Sequence, residues 1–181
     1  FTTKESGLMG SAYDADSDGV EGKYYVFLYD EIKHLEDIEK YFEIDSKGNW
    51  ENKIILIEKK SPPKRLIEKL LDIRLKKNKP FFDKKIQLDL NCLWVSSLVA
   101  AHEILPEKKY LQQAETYFSK IEKLFLDKGI HHSYSKNLAF IDDYAFLINA
   151  LLDLSNATMN FKYTNIAKKL CFEVIEKFYI K

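Results

Sequence analysis

Three groups of residues have types and spacings suited to chemistry. Asp14, Asp16 and Asp18 alternate ahead of Gly19. Clustered carboxylates raise one another's pKa and can divide into acid and base roles. The same run matches the opening of a calcium loop, with Asp at positions 1, 3 and 5 and Gly at 6. Position 12 is Tyr25, however, where such a loop needs a bidentate Glu. A third reading is structural: short Asp side chains accept from nearby backbone N–H groups and hold a turn. Asp142 and Asp143 precede an apolar run, where they cap a helix and complement its dipole. One of them can instead serve as a general base. Adjacent residues cannot face one way, so at most one does. His131 and His132 form the third group. Adjacent histidines make no metal-binding helix face, and there is no HExxH pattern.

Other chemistries are excluded. No Ser-His-Asp arrangement, phosphate loop or dinucleotide fingerprint occurs. The 28 basic and 28 acidic side chains cancel, which argues against nucleic acid or an anionic membrane as partner. Only Arg65 and Arg74 supply guanidinium groups, so bidentate clamps are scarce. Cys92 and Cys171 are far apart and read as buried free thiols. No cofactor and no metal is expected. His34 and His102 read as surface or interhelix groups. No run approaches the roughly 18 to 20 apolar residues of a spanning helix, and no signal peptide is visible. A soluble, cytoplasmic chain is expected. Its 46% hydrophobic content is enough for a core.

The elements that must position these groups differ along the chain. Residues 1–57 hold five of the six glycines and two β-type runs, 23–28 and 53–57. Between them, Asp30 starts a helix predicted to reach about Phe42, with Ile32, Leu35, Ile38 and Phe42 on one face. Residues 46–49 signal a turn. Residues 62–181 read as helical. Pro62-Pro63 opens a helix that runs to about Lys77. Four longer helices follow, at about 87–105, 107–126, 142–157 and 162–179. The second and fourth carry one apolar stripe each; the first and third are apolar nearly all round and should be covered on most sides.

These helices repeat. Tyr110, Ala114 and Phe125 recur 53 residues on as Tyr163, Ala167 and Phe178, and Leu98 recurs as Leu151. Such a period marks a helix hairpin of one inner and one outer helix. Alternation of that kind suits an α/α toroid or an α-solenoid.

Several stretches resemble one family, the YyaL-like, spermatogenesis-associated proteins. Residues 11–26, from Ser11-Ala12-Tyr13-Asp14-Ala15-Asp16 onward, resemble its "SAxDADSEGxEGxFYVW" segment. Gly48-Asn49-Trp50-Glu51 through Leu56 is similar to "GNFEGKNIL", and Ile141-Asp142-Asp143-Tyr144-Ala145-Phe146-Leu147-Ile148 to "LDDYAFLI". The family's "DDKxLTSWNGLMI" stands here at residues 83–95, with Leu90-Asn91-Cys92 in place of Trp-Asn-Gly. The resemblance implies a thioredoxin-like domain followed by an α/α toroid similar to six-hairpin glycosidases and N-acylglucosamine 2-epimerases. It implies a mainly α fold here: a partial toroid of helix hairpins in one domain over 1–181, with 1–57 as a loop and β insertion and 62–181 as hairpins. A chain that starts at Phe1 and supplies little more than three hairpins reads as a portion of a toroid.

The resemblance also directs function toward carbohydrates. Asp14 or Asp16 paired with Asp142 would be the acid and base. His131 or His132 is a further acid/base candidate, since epimerases of this fold use histidines. Tyr13, Tyr24, Asn91, Asp143 and Tyr144 would touch a sugar-like molecule, with Trp50 and Tyr134 as further aromatics. Expected partners are a thioredoxin-like domain, the rest of the toroid, or a second copy. The alternative is a non-catalytic scaffold module beside a thioredoxin-like domain.

Overall fold

The computed structural model describes residues 2–105, 107–126, 129–134 and 137–179. The fold is mainly α, with seven α-helices and a few two-residue strands among the described residues. The chain forms two compact units. A small unit comprises Tyr13–Phe82; a hairpin unit comprises the residues up to Ala12 together with those from Asp83 onward.

The small unit contains most of the β structure. Strands β1 (Asp16–Ser17) and β2 (Val20–Glu21) pair antiparallel across Asp18 and Gly19. Both turn residues have positive φ, 54° and 70°, which matches the right-handed twist of a two-residue hairpin. The run 23–28 does not form a continuous strand; Phe27 alone bridges Ile54, through hydrogen bonds of 2.9 and 2.7 Å. The helix expected over 30–42 is broken into α1 (Tyr29–Ile32) and α2 (Ile38–Tyr41). The break falls at Asp37, whose φ of 60° is left-handed. Strands β3 (Phe42–Glu43) and β4 (Ile57–Glu58) then pair antiparallel. Helix α3 (Lys64–Leu75) starts after Pro63, as the proline pair predicts. Its buried Leu66 and Leu70 join Phe27, Ile32, Leu35, Ile38, Phe42 and Ile54 in one core. That core places α3 with the N-terminal segment and not with the hairpins that follow it.

The hairpin unit holds α4 (Leu88–Ile104), α5 (Lys109–Ile121), α6 (Ile141–Thr158) and α7 (Phe161–Phe178). These lie close to the spans read from periodicity. A π-helical turn, Glu122–Leu126, extends α5. Helix α6 ends at Met159 in the left-handed conformation, and the Asn160 side chain accepts from Lys162 N at 3.0 Å to cap α7. Helix α4 packs on both α5 and α6, and α6 packs on α7. Leu88, Val95, Leu147, Leu151 and Leu154 are fully buried at the centre. Each contributes about 2 kcal/mol by burial. The outer helices present their stripes inward: Ala114, Tyr117, Phe118 and Ile121 from α5, and Tyr163, Ala167 and Leu170 from α7. The inner helices are not covered all round. Leu93 and Trp94 of α4 are each 40% exposed, because the four helices cover only part of the α4 surface. Among the described residues no helix is long and apolar enough to cross a membrane.

Candidate functional site

Helices α4 and α6 begin side by side, and the stretch His131–Tyr134 crosses their first turns. Leu88 N donates to His132 O at 2.9 Å, and Tyr134 N donates to Ile86 O at 3.1 Å. His132 N in turn donates to Asn137 O at 2.9 Å. His132 is thereby fixed at the N-terminal end of both inner helices.

Asp143, in the first turn of α6, is fully buried. One oxygen accepts from Phe140 N at 2.8 Å, which closes the helix start. Both oxygens lie 3.0 Å from His132 Nδ1. Gln87 Nε2 donates to His132 Nε2 at 3.0 Å. An imidazole nitrogen that accepts leaves the proton on the other, so Nδ1–H points at the carboxylate. This is the arrangement that holds a histidine in one tautomer and one orientation. The His132 side chain is 19% exposed. Phe140, 59% exposed, stands edge-on to the ring with centroids 5.0 Å apart.

Asp89, in the first turn of α4, completes a cluster. Asp89, His132 and Asp143 each present a ligand atom within 4.8 Å of the other two. Two carboxylates and an imidazole form a donor set fit for a divalent cation. In this structure Nδ1 and the Asp143 carboxylate face each other directly.

Beneath the dyad, Asn91 is fully buried and spent on structure. Its Oδ1 accepts from Met9 N and from the Tyr117 hydroxyl, both at 2.9 Å. Its Nδ2 donates to Gln87 O at 2.7 Å and Met9 O at 3.1 Å. Burial pushes the Tyr117 hydroxyl up to about 12. Asn91 ties the N-terminal segment, α4 and α5 together and faces no open space. Cys92 is buried beside it, and desolvation, with the charges of Asp143 and Asp89, raises its thiol far above the ordinary range. It is not a nucleophile. Cys171, expected to be buried, is exposed on α7.

The remaining expected site residues are placed as follows. Asp142 is exposed, so of the two helix-start acids it is Asp143 that turns inward. Tyr144 is 1% exposed and points between α6 and α7. Its hydroxyl donates to Glu173 at 2.8 Å and accepts from Lys177 at 2.7 Å. It is a core tyrosine and not a stacking platform for a sugar. In the small unit, Asp14 and Asp16 are exposed, and Asp14 Oδ1 accepts from Asp16 N at 3.3 Å. Asp18 is held by Lys23 at 2.8 Å and Asn78 at 2.9 Å, which keeps its carboxyl below the usual range. That loop has the geometry of the structural reading. Tyr13, 37% exposed, stacks on Phe82 at 4.8 Å, while Tyr24 is buried against Tyr25.

Asp89 and Gln87 were missed by residue spacing. A signal existed, because Asp89 and Asp143 are separated by one residue more than the 53-residue offset of the hairpins. Equivalent first-turn positions of two parallel inner helices converge at one end.

No family model matches the chain. It is 32% identical over 116 residues to an uncharacterized protein of Caenorhabditis elegans, B0495.5. The match takes in 57% of this chain and 16% of that relative, so the chain spans only a small part of the curated relative it matches.

Proposed function

We propose that the hairpin unit is a partial α/α toroid of the YyaL-like kind, directed at carbohydrates, in which His132 is the acid/base group and Asp143 holds it. The observation that carries this reading is the two-oxygen contact of a fully buried carboxylate with Nδ1 of a partly exposed histidine. Nε2 takes a proton from substrate carbon or oxygen, and the buried Asp143 charge stabilises the resulting imidazolium. Asp89 supplies a second carboxylate within reach. Exposed Phe140 and Tyr134 offer faces for the C–H edge of a sugar ring. The ligand is a sugar-like small molecule. The unit works beside the rest of a toroid or a thioredoxin-like domain. A relative of which the matching stretch is 16% is in keeping with that.

A second reading is a non-catalytic scaffold. It is favoured by Asn91 and Cys92, which are fully buried where the family pattern has Trp-Asn-Gly, and by the open apolar flank at Leu93 and Trp94.

One experiment separates the two. N-acylhexosamines and plain hexoses are incubated with the protein in heavy water, and exchange at the carbon next to the anomeric centre is followed by NMR. The acid/base reading expects exchange that falls about 10²-fold or more in His132→Gln. No exchange with any sugar, together with stable complexes by light scattering, supports the scaffold.

A further inference from the structure

The small unit contains an open cavity of about 430 Å³, within the roughly 300–1,000 Å³ of small-molecule sites. Its floor is apolar. Val26 and Phe27 are buried there, and Val20 and Leu28 stand half-exposed beside them. Lys23, Lys53, Lys76 and Lys77 line it, with Asp18 and Glu31 as the acids.

Both acids are already matched. Lys77 Nζ donates to Glu31 and to Val26 O, each at 2.8 Å, and lies 4.9 Å from the Phe27 ring centre. Lys23 Nζ donates to Asp18 at 2.8 Å, and Asn78 Nδ2 donates to the other Asp18 oxygen. The other two lysines donate no hydrogen bond to an acid among the described residues. Lys53 Nζ is 3.9 Å from Glu51, beyond hydrogen-bond range, and lies 5.1 Å from the Trp50 ring centre. Lys76, at the C-terminal end of α3, makes no ion pair among the described residues. The lining itself holds two more ammonium groups than carboxylates, above an apolar floor, with Glu51 of the long Lys53 ion pair outside it.

We propose that this pocket binds an organic phosphomonoester. Its head is held by Lys53 and Lys76, and its apolar body lies on Phe27 and Leu28. A phosphomonoester carries about two negative charges at neutral pH, which equals the surplus. Lysine binds phosphate as a point charge, and a doubly charged head engages both ammonium groups where a singly charged carboxylate is matched by one. The site lies in the small unit and is independent of the dyad.

Calorimetric titration with 2-naphthyl phosphate, 2-naphthoate, 2-naphthalenemethanol and inorganic phosphate tests the assignment. The naphthyl phosphate should bind tightest, weaken as salt is raised, and shift the Phe27 and Leu28 amide resonances. Lys53→Gln and Lys76→Gln should each weaken it about threefold, and the double variant about tenfold. Equal binding of the alcohol would reduce the pocket to an apolar groove. Tighter binding of the naphthoate would make it a carboxylate site. An unchanged double variant, or no binding at all, would also overturn the proposal.

Discussion

Asp143 contacts His132 Nδ1 with both carboxylate oxygens, each at 3.0 Å, while one of the same oxygens caps the Phe140 amide at the start of α6. A helix cap and a histidine-orienting carboxylate are here one side chain. The two uses do not compete, since a carboxylate has about four acceptor sites.

The tautomer of His132 should therefore depend on Asp143. Long-range nitrogen–proton NMR should show the proton on Nδ1 in the native chain. In Asp143→Asn an amide N–H₂ can face Nδ1 and donate, which moves the ring proton to Nε2. The variant should also lose about 1–3 kcal/mol of stability from a buried, charge-assisted bond. An Nδ1 proton that persists in the variant would remove Asp143 as the orienting group.

Asn91 should behave as a structural hub. Asn91→Leu takes away the side-chain partner of Met9 N and of the Tyr117 hydroxyl and should cost about 2–4 kcal/mol by denaturant unfolding. Tyr117→Phe removes one donor and should cost about 1 kcal/mol. Because the pair share a 2.9 Å hydrogen bond, the double variant should cost less than the two singles combined. Strict additivity would mean that the bond contributes nothing. Sugar binding that survives in Tyr117→Phe would agree with a hub that faces no ligand.

The Tyr144–Glu173–Lys177 group should make stability sensitive to acid. Lys177 Nζ donates to Glu173 at 2.6 Å and, with the Tyr144 hydroxyl, holds the Glu173 carboxyl below its ordinary 4.5. A carboxylate with a depressed folded pKa adds stability that is present above the unfolded value. That stability is lost as pH falls through the folded one. Native protein should thus exceed Glu173→Gln in stability near pH 7, and the gap should close on acidification below the ordinary carboxylate value. The effect should be shallow, since the Glu173 side chain is 37% exposed. A gap that widens toward low pH would reverse the assigned sign.

The amino-acid pattern by itself determined the helices of the hairpin unit. Apolar residues at helical spacing placed α4 to α7, because burial of a stripe depends on periodicity that neighbours in sequence already carry. The start of α3 after Pro63 was legible for the same local reason. Other features were decided only in three dimensions. The run 30–42 has helical spacing, yet Asp37 turns left-handed between α1 and α2, and Ile32, Leu35, Ile38 and Phe42 still share one core with Phe27 and Ile54. Asp142 and Asp143 were equivalent as letters. Which one is buried follows from the rotation of α6 against α4, which no local signal states. Tyr144 and Asn91 read as ligand-facing polar groups. Packing against α7 and α5 supplied each with partners from residues 26 to 82 positions away, and that removed them from the site. Asp89 and His132 lie 43 positions apart in the chain and meet only because two inner helices start at the same end. Convergence of that kind depends on the relative placement of elements, which sequence spacing does not encode.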